Sequence, residues 1–331
     1  MGHGRNSPGF FMTIEQARIH MIPKPWGRTD LRPWNVYHDT RTAIGEITLT
    51  RADTASPPPA LALTLVFTSA QLSAQAHADA AFARSIDLAS STCAAWYILA
   101  ASANGRIAVG LKQHIDDTQI RASLRNDSIA ASMRWHAVQT GSSNFIPQGT
   151  LHAVGAGLAV IEIRGNCTAV PPRSEQPGDG TLSLPARRSR QQTFPQKLSS
   201  ERTVLIANAA FVLERLTLAP GVVRELDACV ETWLFVLAGS GRVNSVDATI
   251  GQTFFLATDR ACIRIGPQGL QCLVAYAHSV PTSYLLQRVN SMRVPDPPQR
   301  SPVTVQQLLA LPTRLAAPSG GALPTSRDDL R

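Results

Sequence analysis

Short apolar segments rich in Val, Ile, Leu and Thr recur along this chain, and turn-forming residues separate them. Segments of this length and composition are typical of β-strands, and their regular recurrence favours antiparallel pairing. The pattern predicts strands at 44–50, 61–67, 96–100, 158–163, 204–206, 210–218, 233–237 and 270–277. The sequence therefore predicts a mainly β protein.

Three stretches depart from this pattern. Residues 116–133 carry Ile120, Leu124 and Ile129 at a spacing that predicts one or two helices. A segment rich in Pro, Gly and Arg begins at residue 171 and predicts a linker between two halves of the chain. The chain beyond residue 280 is rich in Pro, Ser, Arg and Gly, which predicts a mostly flexible tail, with one docked helix at the apolar segment 303–311.

Gln75, His77 and His152 are candidate metal ligands in the first half of the chain. Gln75 and His77 stand two residues apart, so their side chains would project from the same face of a β-strand. An amide oxygen and an imidazole nitrogen could then bind one ion, and a third ligand from a distant strand would complete the site. A polar residue and a His at this spacing are also common on a solvated strand face, so the spacing alone leaves both interpretations open.

Several short motifs occur in a fixed order between residues 24 and 163. They are Lys24-Pro25-Trp26-Gly27, Ile44-Gly45-Glu46-Ile47, Phe67-Thr68-Ser69 leading to His77, Ala95-Trp96-Tyr97, Gly149-Thr150-Leu151-His152-Ala153-Val154-Gly155-Ala156-Gly157, and Val160-Ile161-Glu162-Ile163. In this order they resemble the motifs of the type I phosphomannose isomerases, also called mannose-6-phosphate isomerases. These proteins are zinc enzymes of the cupin superfamily.

The resemblance implies a fold of two cupin-like jelly-roll β-barrels with a small helical insertion around 115–135. It implies an N-terminal cupin domain of the catalytic type at 1–170, a linker at 171–200, a C-terminal cupin domain at 201–280 and the tail at 281–331. We expect the C-terminal domain to be metal-free, because His278 is its first His.

The resemblance also implies a ligand set and an activity. One Zn²⁺ per chain would be held by Gln75, His77 and His152, and the substrate would be a small-molecule sugar phosphate. The implied reaction is the zinc-dependent interconversion of mannose 6-phosphate and fructose 6-phosphate.

The chain departs from the family pattern at positions that carry the chemistry. The family's Glu ligand corresponds to Ala94, and two family Lys positions correspond to Thr92 and Thr64. The catalytic Arg of the family falls at Pro172, one residue before Arg173. Loss of the carboxylate should weaken metal binding, and each lost positioned donor can remove roughly 2.7 to 4 kcal/mol of transition-state stabilisation. Together these replacements could silence the reaction.

Arg164, Arg173 and Lys24 are the remaining cationic candidates for a catalytic role. The forked guanidinium of Arg164 could bind a phosphate, although Arg164 could equally be a solvated strand residue. Lys24 could order the site or form a surface ion pair. For the metal, Cys93 could offer a thiolate or be a buried small apolar residue. Asp79 could be a fourth ligand or a turn residue.

Composition limits the classes of partner. The 331 residues, 44% of them apolar, suffice for two cores. The net charge of +8 attracts polyanions, but the Arg residues are dispersed, so we expect no specific nucleic-acid partner. No apolar run is long enough to cross a membrane and no secretory signal pattern begins the chain, so the sequence predicts a cytoplasmic protein without a membrane partner. Five cysteines without a C-x-x-C pair predict reduced thiols.

Two functions of different class follow from the sequence. Retention of Gln75, His77 and His152 favours an isomerase with a reduced zinc site. The replaced family positions favour a non-catalytic cupin, a sugar-phosphate-binding or regulatory protein; they are Ala94, Thr92, Thr64 and Pro172. The sequence does not define the oligomeric state.

Overall fold

Strands dominate the structure, as the recurring apolar segments predict. A computed structural model describes residues 14–35, 41–52, 58–69, 92–113, 117–125, 128–148, 150–166 and 195–289. In chain order the strands are β1 (Ile14–Gln16), β2 (Arg18–Arg28), β3 (Ile44–Thr50), β4 (Leu61–Phe67), β5 (Thr92–Ala101), β6 (Arg106–Leu111), β7 (Met133–Ala137), β8 (Ser143–Ile146), β9 (His152–Val154), β10 (Leu158–Asn166), β11 (Gln196–Lys197), β12 (Arg202–Ala207), β13 (Val212–Leu218), β14 (Val223–Asp227), β15 (Thr232–Val243), β16 (Val246–Thr249), β17 (Thr253–Leu256), β18 (Arg260–Tyr276) and β19 (Leu286–Arg288). Two short helices, α1 (Asp117–Arg125) and α2 (Ile129–Ser132), lie between β6 and β7.

The first half of the chain forms two antiparallel sheets. The larger sheet has six strands in the order β2-β3-β4-β10-β5-β8, and the smaller sheet has the order β7-β6-β9. In the central strands, β4 and residues 158–163 of β10 are mainly apolar and buried, as expected where both faces of a sheet are covered. Beside the smaller sheet, Ile120 and Ile129 of the two helices pack against Met133.

The second half forms a ten-stranded sheet. Seven strands follow the order β1-β17-β15-β18-β13-β12-β11, while β14 pairs with β18 and β19, and β16 pairs with β15. The N-terminal strand β1 belongs to this sheet, where Ile14 lies opposite Leu256. Strand β1, which precedes the first half in the sequence, therefore belongs to the sheet of the second half.

The two faces of the six-stranded sheet cover different cores. Leu65 and Ile161 project from one face into a cluster shared with Phe235 of the second half. Val160 projects from the other face and packs with Ile107 of the smaller sheet. Alternation along each strand thus places one set of side chains between the halves and the other set between the two sheets of the first half.

Polar contacts also join the halves. The Glu231 carboxylate accepts hydrogen bonds from the backbone N–H groups of Ala60 at 2.6 Å and Leu61 at 2.9 Å. The Arg51 guanidinium lies 4.4 Å from the ring centroid of Phe255 and 3.3 Å from a carboxylate oxygen of Glu15. These groups fix the start of β4 and the end of β3 against the second half.

The predicted mainly β fold with a small helical insertion is confirmed. The strands at 44–50 and 61–67 have the predicted bounds, whereas β5 and β18 extend beyond the predicted 96–100 and 270–277. Strand β2 escaped prediction because Pro23 and Pro25 interrupt it, and it tolerates them as an edge strand with an irregular register. In the described part of the chain, no helix is long and apolar enough to cross a membrane.

Most of the predicted linker at 171–200 and most of the predicted tail at 281–331 lie outside the described residues, which include 195–200 and 281–289. The domain boundaries therefore stay predictions.

Candidate functional site

A row of side chains crosses the face of the six-stranded sheet that is turned toward the smaller sheet. Thr64 on β4 lies opposite Glu162 on β10, Glu162 lies opposite Trp96 on β5, and Trp96 lies opposite Asn144 on β8. Directly opposed residues of an antiparallel sheet project from the same face. The register therefore gathers polar groups into a row within an otherwise apolar face.

Glu162 is the charged member of this row, and its side chain is buried. Its Oε1 accepts a hydrogen bond of 2.9 Å from Nε1 of Trp96, and its Oε2 lies 3.5 Å from Nε of Arg164. A buried carboxylate requires such partners. Without a hydrogen-bond donor or a countercharge, it would lower the stability of the fold by several kcal/mol. Trp96 and Arg164 supply a neutral donor and a cation.

His152 opens strand β9 and is half-buried. Its Nδ1 lies 2.7 Å from the carbonyl oxygen of Thr150. Because a carbonyl oxygen can only accept, Nδ1 carries the proton of the neutral ring and Nε2 carries the lone pair. This is the arrangement in which a His binds a metal through Nε2 while a backbone carbonyl fixes the ring.

The Trp96 indole connects His152 with Glu162. Its ring meets the His152 imidazole edge-on, with ring centroids 5.2 Å apart and an interplanar angle of 74°. The same indole donates its N–H to Glu162. One fully buried side chain therefore holds both the candidate ligand and the buried carboxylate in place.

The other predicted metal ligands lie outside the described residues; they are Gln75, His77 and Asp79. The candidate catalytic Arg173 also lies outside them. Among the described residues, no three His, Cys, Asp or Glu side chains are grouped as they would be around a metal ion. In the described part of the chain, His152 is therefore the candidate ligand whose surroundings can be examined, and its Nδ1 contact with the Thr150 carbonyl is compatible with metal binding through Nε2.

The replaced family positions are apolar or neutral in the structure. Ala94 is buried in the cluster that contains Trp96 and Ile98, and it lies opposite Arg164. Thr64 is also buried. The face that would carry the family's carboxylate and one of its lysines is therefore packed without those charges.

Two of the three cationic candidates for a catalytic role, Arg164 and Lys24, lie within the described residues. Arg164 shares a face with Glu162, and its side chain is 49% exposed, so the guanidinium reaches solvent at the end of β10. Lys24 is half-buried and lies against Gly45, where an added Cβ would come within 2.5 Å of the Lys24 Cβ. Gly27 likewise leaves no room for a Cβ beside the backbone of Ile44. The motif glycines thus allow β2 and β3 to approach closely.

Residues of three motifs also meet at an open cleft of about 630 Å³, which Gly27, Arg28, Ser69 and Gly157 help to line. Burial lowers the pKa of the Arg28 guanidinium, and the charge of Asp30 acts in the opposite direction. Sequence reasoning did not single out Arg28, because it distinguished the arginines only by their positions in the family motifs.

The prediction for Cys93 is wrong with respect to its oxidation state. Cys93 is disulfide-bonded, and Cys229, Cys262 and Cys272 are free. A disulfide sulfur is not a thiolate, so Cys93 is excluded as a metal ligand. The odd number of cysteines and the missing C-x-x-C pair gave no indication of this bond.

The role of Glu162 also escaped sequence reasoning. A single carboxylate within the apolar run of β10 was the available indication, because such a residue must either face solvent or find partners in the interior. Its partner Trp96 is 66 residues away in the chain, so the pairing depends on the sheet register.

Comparison with solved structures relates this fold to phosphomannose isomerases. The mannose 6-phosphate isomerase from Bacillus subtilis is 15% identical with a TM-score of 0.57, and the match covers 80% of this chain and 99% of that chain. A single-residue variant of phosphomannose isomerase from Salmonella typhimurium is 10% identical with a TM-score of 0.54, covering 80% of this chain and 99% of that chain. No protein-family model and no curated protein matches the sequence. The chain therefore has the cupin-like fold of the phosphomannose isomerases, as its motifs predict.

Proposed function

We propose that this chain is a mannose-6-phosphate isomerase-like protein that interconverts mannose 6-phosphate and fructose 6-phosphate with one divalent metal ion. The observation that carries the proposal is the hydrogen bond from Nδ1 of His152 to the Thr150 carbonyl, which leaves Nε2 available as a ligand. The phosphomannose isomerase fold supports the same function. The chain's motifs place His152 at a ligand position of that family.

Gln75, His77 and His152 would hold the ion, and zinc is the expected metal. Three protein ligands with one open position are common at catalytic zinc sites. The bound ion would act as a Lewis acid toward the sugar carbonyl. The contribution of Trp96 is to keep the His152 ring fixed, because its buried indole meets the imidazole edge-on.

Arg164 is the described side chain best placed to bind the phosphate. Its side chain is 49% exposed, and its Nε lies 3.5 Å from Oε2 of Glu162. A guanidinium can bind two phosphate oxygens at once. Arg173 and Lys24 are the further cations of this proposal.

A second function is favoured by one observation, the packing of Ala94 in an apolar cluster at the family's Glu position. Without that carboxylate, and with the neutral Thr64 buried nearby on the same sheet, the chain could bind a sugar phosphate without converting it. The protein would then be a sugar-phosphate-binding or regulatory member of the fold. The cytoplasmic location stays a prediction for either function.

One experiment separates the two functions. Purified full-length chain is stripped of metal, reloaded with zinc, and assayed for fructose 6-phosphate formation from mannose 6-phosphate in a coupled assay, while calorimetry measures binding of mannose 6-phosphate. Zinc-dependent turnover above the metal-free control supports the isomerase. Binding without turnover supports the second function, and absence of both contradicts the proposal as a whole.

The replaced positions provide a gain-of-function test of the same site. The double substitution Ala94→Glu and Thr92→Lys should strengthen zinc binding, because it restores a carboxylate and a cation at the family positions. Glu at the neighbouring position, Ala95→Glu, is the matched control, since Ala95 faces the core between the halves. Unchanged zinc affinity of a folded double variant would show that the motif alignment is wrong.

A further inference from the structure

Arg134 on β7 projects from the same sheet face as the candidate ligand His152. Met133 and Trp135, its neighbours on β7, pack in the cluster beside the two helices, so Arg134 projects from the other face of the smaller sheet. His152 projects from that other face too, because its ring meets Trp96 of the six-stranded sheet. Both side chains therefore belong to the face of the smaller sheet that is turned toward the six-stranded sheet.

A β-bulge in β6 lies between Arg134 and His152. The register between β6 and β7 shifts where Val109 and Gly110 together face the single residue Arg134. Gly110 has a φ of +73°, a conformation that favours glycine, and Val109 lies directly opposite His152. A bulge twists its strand and redirects nearby side chains, and bulges are common beside active sites. The deformed part of β6 therefore lies at the level of both residues.

The spacing of the strands sets the distance between the two residues. The order of the smaller sheet is β7-β6-β9, so one strand lies between Arg134 and His152. Neighbouring strands are about 4.8 Å apart, which places the two backbones about 10 Å from each other. An arginine side chain can extend across part of this gap. A six-carbon sugar phosphate is long enough to contact an ion at His152 with its carbonyl end and Arg134 with its phosphate.

The guanidinium of Arg134 is accessible to an anion. Arg134 is exposed, and its Nη2 donates a hydrogen bond of 3.2 Å to the carbonyl oxygen of Leu111. Among the described residues, Arg134 has no carboxylate partner. Arg164 differs, because Oε2 of Glu162 lies 3.5 Å from its Nε and compensates part of its charge. A phosphate monoester carries nearly two negative charges at neutral pH, so Arg164 alone would leave part of that charge unpaired.

We propose that Arg134 is a second phosphate-binding residue, which binds the phosphate of the substrate from the smaller sheet while Arg164 binds it from the facing sheet. A guanidinium can donate to two phosphate oxygens at once. The pair would make the site specific for phosphorylated sugars. This role rests on the proposed function, because the ion at His152 is what places the other end of the sugar.

The test measures binding of mannose 6-phosphate and of inorganic phosphate to the full-length chain by calorimetry, with and without zinc. Arg134→Gln removes the charge and keeps much of the side-chain length. It should weaken binding of both ligands about tenfold or more, the value of a hydrogen bond to a charged group, and leave the zinc content unchanged. Arg134→Lys should restore part of the affinity, because it returns the charge without the fork.

Arg106→Gln is the matched control. Arg106 is exposed on β6 and lies opposite Ala137, so it projects from the other face of the same sheet. The substitution changes the net charge by the same amount and should leave binding of both ligands unchanged. A general loss of positive charge would weaken binding equally in Arg106→Gln and Arg134→Gln.

Folding of each variant is checked by thermal unfolding, and Arg134→Met replaces Arg134→Gln if the latter does not fold. The role of Arg134 is overturned if the unmodified chain binds neither ligand, or if Arg134→Gln and Arg106→Gln bind both ligands equally. Zinc-dependent turnover with the same KM in these two variants overturns the role of Arg134 and leaves the isomerase function intact. Phosphate binding that depends on Arg134 without any turnover contradicts the isomerase function and supports the role of Arg134.

Discussion

The indole Nε1 of Trp96 donates a hydrogen bond of 2.9 Å to Oε1 of Glu162, and the two residues are direct neighbours in the antiparallel register of β5 and β10. Both side chains are buried. The bond supplies a partner to a carboxylate within an apolar sheet face, and the indole ring also lies at a steep angle to the His152 imidazole, with centroids 5.2 Å apart. Stability and the candidate site therefore depend on the same side chain.

Replacing Trp96 with Phe should destabilise the protein. The substitution removes the indole N–H and leaves Glu162 with one donor fewer in a buried position, which should lower the free energy of unfolding by about 1 to 3 kcal/mol beyond the loss of packing. Urea denaturation measures the change. Trp135→Phe is the matched control, because half-buried Trp135 donates its N–H to the Ala130 carbonyl. An equal effect of the two substitutions would contradict the role given to Glu162.

A second buried carboxylate fixes the end of the described chain. Arg202 forms two hydrogen bonds with Glu214, from Nε at 2.9 Å and from Nη2 at 2.7 Å. The same Nη2 donates to the carbonyl oxygen of Thr282 at 2.7 Å. Arg202 therefore connects the interior of the ten-stranded sheet to the segment after β18.

Substitution of Arg202 by Met should cost about 3 to 5 kcal/mol of stability, because the fully buried Glu214 would lose its countercharge. The double variant Arg202→Met with Glu214→Leu should recover much of this loss, since no unpaired charge remains. Urea denaturation of both variants provides the measurement. A double variant less stable than the single variant would contradict this account.

Tyr276 gives the same site a dependence on pH. Its hydroxyl donates to Oε1 of Glu214 at 2.6 Å, and burial, followed by the charge of Glu214, raises the pKa of Tyr276 well above its ordinary value. The unfolded chain releases this proton near pH 10 while the folded chain retains it. The stabilisation is therefore complete below about pH 10 and declines as the pH rises further. Unfolding free energies between pH 8 and pH 11 should fall less steeply for Tyr276→Phe than for the unmodified chain, and parallel curves would contradict the assignment.

The sequence alone predicted those strands that are marked by a local run of strand-forming residues. Ile44–Thr50 and Leu61–Phe67 are continuous runs of strand-forming residues with turn residues at their ends, and the structure reproduces their bounds. The register between strands is not a local property. Arg202 and Tyr276 meet at Glu214 across 12 and 62 residues of chain, and no motif connects them.

The candidate site likewise combines a feature that the sequence predicts with features that depend on the fold. The motif around His152 predicts the residue as a candidate ligand, but its ring contacts, with the Thr150 carbonyl and with the Trp96 indole, follow from the fold. The disulfide of Cys93 was missed for a related reason, since pairing of cysteines follows from the fold and not from their number.

The free cysteines should differ strongly in reactivity. Burial raises the pKa of Cys272 to about 12, so this thiol should react with a disulfide reagent only after unfolding. Cys229 is exposed, and its hydrogen bond to Asp227, at 3.1 Å, is the main cause of its raised pKa. Asp227→Asn should therefore lower the pKa of Cys229 and accelerate its labelling at pH 8. Peptide mapping after timed labelling provides the measurement, and rapid labelling of Cys272 in the native protein would contradict the burial of its side chain.

Removal of the His152 imidazole should abolish zinc retention. In the proposed site, Nε2 of His152 is the ligand from the described part of the chain, so His152→Ala should lower zinc affinity more than tenfold, the lower range for disturbing even the outer partners of a metal site. Metal content after gel filtration and competition with a zinc-binding dye measure the change. His136→Ala is the matched control, because His136 is exposed on β7 and its ring should not bind the ion. Equal zinc retention by the two variants would place the ion elsewhere, and the proposed isomerase site would then lose its described ligand.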